Sequence, residues 1–313
     1  MNPLHRAVNE YLELRRGLGF KLVNHESCLR EFVSFLARKK TSRITTAMAV
    51  QFATLHPQQQ PKVKAARYST VRGFARYRIG AEPATEIPPC GVVRGRSWRP
   101  RPYLYSDQDV SRLLAAAHHL APTYVLRPWT YYCFFGLLAV TGLRLSEALN
   151  LQCQDIDWAE GLLTIRNTKF GKSRLVPLHA SSVKVLAAFA KRRARFLAQC
   201  QAGSLPHFFV TKFGTPLQEG SVYRVFWALS KQIGIRDGTA RHQPRLHDLR
   251  HRFAIKTLLR WYRAGEKVDR RLPELSTYLG HVQVADTYWY LSCTPELMAA
   301  AGNRMERRWE EVQ

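Results

Sequence analysis

The chain has 313 residues, 46% of them hydrophobic, enough for two ordinary domains with cores of their own and too apolar for a disordered basic tail. Forty-eight Lys and Arg against 23 Asp and Glu leave a formal charge of +25, which calls for a polyanionic partner, nucleic acid first. The basic residues are spread over the whole chain and not gathered on one amphipathic segment, which sets a membrane surface aside.

Residues 1–81 read as a helical N-terminal domain. The opening MNPLHRAVNEYLELRR has no apolar stretch of signal-peptide type. Leu4, Val8 and Leu12 mark one face of a first helix that stops near Gly17 and Gly19. Leu29, Phe32, Val33 and Leu36 follow the i, i+3, i+4, i+7 spacing of a second. Thr45 or Thr46 caps a third, which runs to Leu55 before Pro57. The fourth, PKVKAARYSTVRGFARYRIG, opens with Pro in its first turn and stops at Gly80. It carries Lys62, Lys64, Arg67, Arg72, Arg76 and Arg78. Charges of one sign repel along a helix, so contact with a DNA backbone is expected in preference to a solvated face. Residues 82–103, EPATEIPPCGVVRGRSWRPRPY, keep neither helical nor strand period and read as an interdomain linker. Its Arg94, Arg96, Arg99 and Arg101 are expected to lie against phosphate.

Residues 104–313 read as the second domain. Ser106 and Asp109 form a capping box ahead of Val110, Leu113, Leu114 and Ala117, and His118 and His119 end that helix as solvated residues. The apolar run from 131 to 140 is too short to span a bilayer and reads as a buried helix. Thr141-Gly142 then turns the chain into LRLSEALNL. Strand-like pieces follow around Ile156, at residues 162–167 and at 174–178, joined by a tight TKFGKS turn, with a further short strand at 208–210. Residues 180–199 return to helix, and Val222, Val225, Phe226, Leu229 and Ile233 give another helical face. PELMAAAGNRMERRWEEV is the last helix. The six cysteines, Cys28, Cys90, Cys133, Cys153, Cys200 and Cys293, form no C-x-x-C pair and have no His at zinc spacing; reduced, buried thiols and no metal are expected.

The chemistry concentrates in PRLHDLRHRFA and STYLGHVQVADTYWYLS. His247 and Arg250 stand three apart at the start of a helix, His281 follows a Gly, and Tyr288 and Tyr290 share a turn. Upstream, TGLRLSE sets Arg144 and Glu147 in a similar turn-to-helix setting. Two arginines, two histidines and a tyrosine suit attack of a phenolic oxygen on a phosphodiester. Arginine gives paired, charge-assisted bonds to phosphate oxygens and stays charged. Fixed charge of this kind often contributes more to catalysis than any other single effect. Histidine serves as base or acid near neutral pH, and a lysine can protonate the leaving 5′ oxygen. No carboxylate cluster resembles a two-metal site, and no cofactor is expected.

Taken together these motifs resemble the tyrosine recombinase, or phage integrase, family. TGLRLSEAL is similar to the family's first-arginine motif, which makes Arg144 the phosphate clamp and Glu147 the orienting acid. LHDLRHRFA is similar to its H-x-x-R motif, with His247 and Arg250. LGH followed by a tyrosine turn gives His281 and, at the family's usual separation, Tyr290 in preference to Tyr288. TKFGKSRLVPL is similar to the hairpin that bears the catalytic lysine; counting eight back from Pro177 selects Lys169, with Lys172 the runner-up. Tyr278, Tyr288 and Trp289 are left to core packing.

The resemblance implies a fold that is mainly α with a small antiparallel β-sheet: a four-helix, SAM-like core-binding domain, then a mixed α/β catalytic domain. It also implies a 3′-phosphotyrosyl intermediate, formed without ATP or metal, on double-stranded DNA with specific recombination sites. Four protomers, alike or of two kinds, are expected to assemble on two duplexes, with the last helix packing either on its own subunit or on a neighbour. The expected setting is the bacterial cytoplasm, at the nucleoid when bound to DNA, in the service of a mobile element. Three other readings compete. A type IB-like topoisomerase would use the same residues and relax plasmid without a special site. A catalytically silent DNA-binding accessory protein, or a basic RNA-binding module, would leave the residue set without a purpose.

Overall fold

A computed structural model of the chain describes residues 3–20, 22–95, 102–166, 173–200, 206–238 and 243–310. The chain divides into two units, Met1–Arg99 and Pro100–Gln313. In the first, α1 (Pro3–Gly17), α2 (Val23–Arg38), α3 (Thr46–Ala53) and α4 (Pro61–Arg78) turn their apolar stripes onto one core. Leu4, Val8 and Leu12 meet Leu29, Phe32, Val33 and Leu36, and the last two helices add Phe52, Val71 and Phe74. Each such side chain stabilises by about 1.5–3 kcal/mol when fully buried. Phe32 and Phe52 meet edge to face with centroids 5.0 Å apart. Of the two candidate caps for α3, Thr45 is the one used: its hydroxyl accepts the Met48 N–H at 3.2 Å.

The stretch expected to be linker from residue 82 is tied to this helical unit as far as residue 95. The Glu86 N–H donates to Ile44 O and the Glu86 carboxylate accepts from the Thr46 N–H, both at 2.9 Å. Tyr68 Oη donates to Pro89 O and Arg72 Nε to Pro88 O, again at 2.9 Å. A proline has no N–H for a ladder but keeps its carbonyl, so at Pro88 and Pro89 the segment is held by side-chain donors, and such isolated bonds leave no periodic trace in sequence.

These contacts also sort the basic residues. Arg67 donates to both Glu31 carboxylate oxygens, at 2.7 and 2.8 Å, and lies over the Phe52 ring at 4.0 Å. Lys64 Nζ donates to Pro57 O at 2.8 Å, and Arg78 stands 3.9 Å from Glu82. Lys62, Arg76 and Arg94 are exposed. Arg96, Arg99 and Arg101 lie outside the described residues.

The second unit opens with α5 (Asp107–His118), α6 (Arg127–Thr141) and the short α7 (Leu145–Leu149). A three-stranded antiparallel sheet follows: β1 (Ile156–Asp157), β2 (Leu162–Ile165) and β3 (Arg174–Pro177), with Leu163 opposite both Ile156 and Val176. Then come α8 (Ala180–Gln199), α9 (Glu219–Gln232), α10 (Leu246–Arg263), α11 (Val268–Leu279), α12 (Ala285–Tyr288), a 3-10 turn at Trp289–Ser292, and α13 (Pro295–Glu310). The fold is therefore mainly helical with a small antiparallel sheet. The Ser106 capping box forms in both directions, at 3.0 and 2.9 Å. Among the described residues no helix is long and apolar enough to cross a membrane.

Two expectations are corrected. Residues 208–210 form no strand, only an isolated bridge at Val210: Phe208, Phe209 and Val210 are all buried, and the two rings cross at 5.0 Å, so no alternation between faces survives. None of the six cysteines is in a disulfide, but only Cys133 and Cys293 are buried; Cys28 and Cys153 are half-buried, and Cys90, in a turn, and Cys200, just past the end of α8, are exposed.

The second unit has two apolar clusters. One gathers α5, α6, the sheet, α8 and α9 together with Leu246 and Leu249 at the start of α10. The other gathers Ala254, Leu258 and Trp261 farther along α10 with Leu272, Leu275 and Leu279 of α11 and Leu297 of α13. α10 thus runs from one cluster into the other, and residues 247–251 sit at the crossing.

Candidate active site

Helices α6 and α11 both end on a glycine in the left-handed region, Gly142 at φ 63° and Gly280 at φ 68°. A Cβ at residue 142 would stand 2.8 Å from the Phe253 ring, and one at residue 280 would stand 2.9 Å from the Arg174 guanidinium, so glycine is required twice over. The carbonyls freed at these ends take up guanidinium groups. Arg250, 2% exposed, donates to Gly142 O at 2.9 Å and to Leu279 O at 2.6 Å. Arg144, the residue before α7, donates to Gly280 O at 2.7 Å. The negative end of a helix dipole suits a cation at each place.

Glu147 locks this arrangement. Its carboxylate accepts the Arg144 N–H at 2.9 Å and Arg144 Nη1 at 2.8 Å, and takes both arms of Arg174 at 3.0 and 2.8 Å. Burial pushes the carboxyl up, but the bonds and charge of Arg174, followed by those of Arg144, outweigh it and hold the pKa at about 2. Arg174 Nε reaches Tyr278 O at 2.7 Å, which joins β3 to the end of α11. Burial, and then the charge of Arg144, pull Arg250 down to about 10, so it stays a cation at neutral pH. A buried cation set beside a like charge, as Arg250 is beside Arg144, is relieved by an anion.

Both histidines are held neutral at pH 7. His281 Nδ1 pairs with the Oγ1 of buried Thr287 at 2.8 Å. With the hydroxyl donating, the ring hydrogen of His281 is assigned to Nε2. Burial, then Arg250 and Arg144, lower His281 to about 4. His247 is exposed at the surface, yet the protein packed around it, then Arg250, lower it likewise to about 4.

Tyr290 is 2% exposed and its ring stacks on that of His281 at 6.2 Å and 16°. Burial raises its phenol, opposed by the charge and hydrogen bond of Arg250 and by Arg144. Its hydroxyl lies 3.3 Å from His251 Nδ1. Tyr288 differs from expectation: it is 52% exposed and is no part of the core, since residues two apart on a helical turn do not share a face. Trp289 is half-buried against His251 and Tyr290, and Tyr278 stacks on Phe253 at 5.2 Å.

Arg144, Glu147, His247, Arg250, His281 and Tyr290 therefore come within electrostatic reach of one another, from four separate stretches of chain. Lys169 and Lys172 lie outside the described residues. Arg174 and His251 join the cluster without having been singled out in the sequence. Both had a signal: Arg174 shares a strand face with buried Val176, where a cation needs a carboxylate, and His251 follows His247 by four on one helix face. Two guanidinium forks, two neutral imidazoles and a buried phenol can together hold a tetrahedral oxyanion beside an attacking oxygen.

Residues 103–296 match the model of the phage integrase family. The chain belongs to this family, that of the tyrosine recombinases, enzymes that cleave DNA strands. It is 53% identical, over 99% of each chain, to a protein of Sinorhizobium fredii that bears the name integrase/recombinase y4rB. It is 30% identical to tyrosine recombinase XerD of Caulobacter vibrioides over 76% of this chain and 73% of that one. The fold is similar to that of the XerH site-specific recombinase in a post-cleavage complex with difH substrate, with a TM-score of 0.67 at 18% identity, covering 90% of this chain and 79% of the other. It is similar also to the Tn1549 transposon integrase in complex with transposon right end DNA, at 0.66 and 16% identity over 96% and 98%.

Proposed function

We propose that the protein is a site-specific recombinase that cuts and rejoins double-stranded DNA through a 3′-phosphotyrosyl link to Tyr290, in the integration, excision or transposition of a mobile element. The observation that carries this reading is the buried phenol of Tyr290 beside Arg144 and Arg250, the two cations tied to helix ends. In the cleavage step Tyr290 Oη bonds to phosphorus and the 5′ oxygen leaves. Arg144 and Arg250 hold the non-bridging oxygens, neutral His247 and His281 donate to them through N–H groups, and Lys169 protonates the departing oxygen, with Lys172 as the alternative donor. Glu147 and Arg174 keep Arg144 in place. Bond energy is kept in the ester, so rejoining requires neither ATP nor a divalent ion. Exposed Lys62, Arg76 and Arg94 lie along the DNA backbone, and four protomers act on two duplexes. The names of similar proteins agree with this reading: one is a transposon integrase with transposon right end DNA and another a site-specific recombinase bound to difH substrate.

Covalent trapping tests it. Wild type, Tyr290→Phe and Tyr288→Phe are incubated in EDTA with nicked suicide duplexes from DNA flanking the gene, and SDS-resistant adducts are scored. The expected result is an adduct in wild type and Tyr288→Phe and none in Tyr290→Phe. An adduct retained by Tyr290→Phe and lost in Tyr288→Phe moves the nucleophile to Tyr288. Relaxation of plasmid that lacks any preferred site would replace recombination by a topoisomerase activity.

A further inference from the structure

His251 stands one residue beyond Arg250 on α10, and its Nδ1 lies 3.3 Å from Tyr290 Oη. Three neighbours fix the plane of its ring. His247 meets it at 90° with centroids 4.7 Å apart, Trp289 at 5.1 Å and Tyr290 at 5.5 Å. None of the roles in phosphate binding or leaving-group protonation falls to this imidazole.

We propose that His251 is the catalytic base of cleavage: its Nδ1 takes the phenolic proton of Tyr290 as Oη attacks phosphorus, and returns it when the strand is rejoined. The proposal rests on the reading of Tyr290 as nucleophile. A buried phenol needs such help, because its surroundings disfavour free phenolate and a neutral phenol attacks poorly. A base must lie within hydrogen-bond reach of the proton it removes, and His251 does. His281 is less well placed: its Nδ1 is engaged by Thr287, and it meets Tyr290 ring face to ring face. His247 meets the His251 ring and is exposed, so that a phosphate oxygen can reach it.

His251 starts with its hydrogen on Nε2 and a lone pair on Nδ1. The Tyr290 O–H bond breaks, its proton passes to Nδ1, and the Oη–P bond forms as the P–O5′ bond breaks. The 5′ oxygen takes a separate proton from the lysine donor. The imidazolium so formed lies beside the phosphodiester charge. In rejoining, the 5′ hydroxyl gives its proton back to the lysine as its oxygen bonds to phosphorus, the P–Oη bond breaks, and Tyr290 recovers its proton from His251.

The test uses the full-length protein and a duplex that Tyr290→Phe protein selects from a random pool. The duplex is made as a nicked suicide substrate in two forms, with an ordinary 5′ oxygen or a bridging 5′ sulfur at the mapped cleavage position. A thiolate leaves without a proton, so the sulfur form isolates help given to the nucleophile. His251→Ala should bind the duplex as wild type does, melt at a similar temperature, and form adduct about 10²–10⁴-fold more slowly on both forms. His251→Asn keeps an acceptor near the Nδ1 position but takes up no proton, and should be as slow. Recovery of His251→Ala on the sulfur form would assign the residue to the leaving group, and full rate in His251→Asn would make it a positioning residue; either overturns the proposal. Normal rates in His251→Ala with Tyr290→Phe inert would refute His251 alone. An adduct in Tyr290→Phe would instead refute the nucleophile.

Discussion

Glu147 is the residue on which the charges of the site depend. It is buried between Arg144 and Arg174, and its pKa of about 2 lies below the ordinary 4.5. A carboxyl with a depressed folded pKa stabilises fully above the unfolded value and loses that contribution as pH falls through the folded one. The contribution, on the order of 3 kcal/mol, should therefore be complete above about pH 4.5 and fade toward pH 2. Glu147→Gln should be less stable than wild type by about 3–5 kcal/mol at neutral pH, since it leaves two cations uncompensated, and urea midpoints of the two should converge in acid. Midpoints that stay equally far apart at low pH would mean that packing, not charge, is what the variant loses. Arg174 and His251 show what sequence leaves unread at this scale. Each sits inside a motif that drew notice for other residues. Their partners lie 27 and 39 positions away, and no spacing rule reaches so far.

Among the elements, the ends of helices matter more than their bodies. Gly280 at φ 68° closes α11 and delivers a carbonyl to Arg144. Gly280→Ala should destabilise by about 1–3 kcal/mol and also slow adduct formation, because the new Cβ displaces the Arg174 guanidinium. Gly238 has a similar φ of 79° with nothing within 4 Å of an added Cβ, so Gly238→Ala should show the stability loss with cleavage unchanged. Equal cleavage in both variants would detach the Gly280 turn from catalysis. In α4 the basic residues divide by what they touch. Arg67→Ala should lower the stability of the helical unit by about 1–3 kcal/mol through loss of Glu31 and of the Phe52 face. Arg76→Ala should leave the melting temperature alone and weaken DNA binding. The helices themselves were legible, because buried stripes such as Leu29, Phe32, Val33 and Leu36 impose a period. Residues 82–95 were not, because they are held by Tyr68 and Arg72 reaching to an irregular chain and by Glu86 reaching back to the Thr46 N–H, which imposes none.

For the whole molecule, a formal charge of +25 makes binding to a duplex a matter of counterions. If about six phosphates are neutralised, affinity should drop on the order of 10³-fold between about 50 and 200 mM salt, and the slope should lessen by about one for each exposed contact removed. Fluorescence anisotropy across a salt series measures it; a shallow slope would place most of the charge away from the DNA. The arginines proposed to hold the reacting phosphate have a different kind of support. Arg250 rests on the carbonyls of residues 142 and 279, and Arg144 on that of residue 280. Every amino acid brings the same carbonyl, so these supports cannot be deleted by changing a side chain; only the path of the backbone can move them. What guards them is the turn at each helix end, which glycine at residues 142 and 280 keeps open.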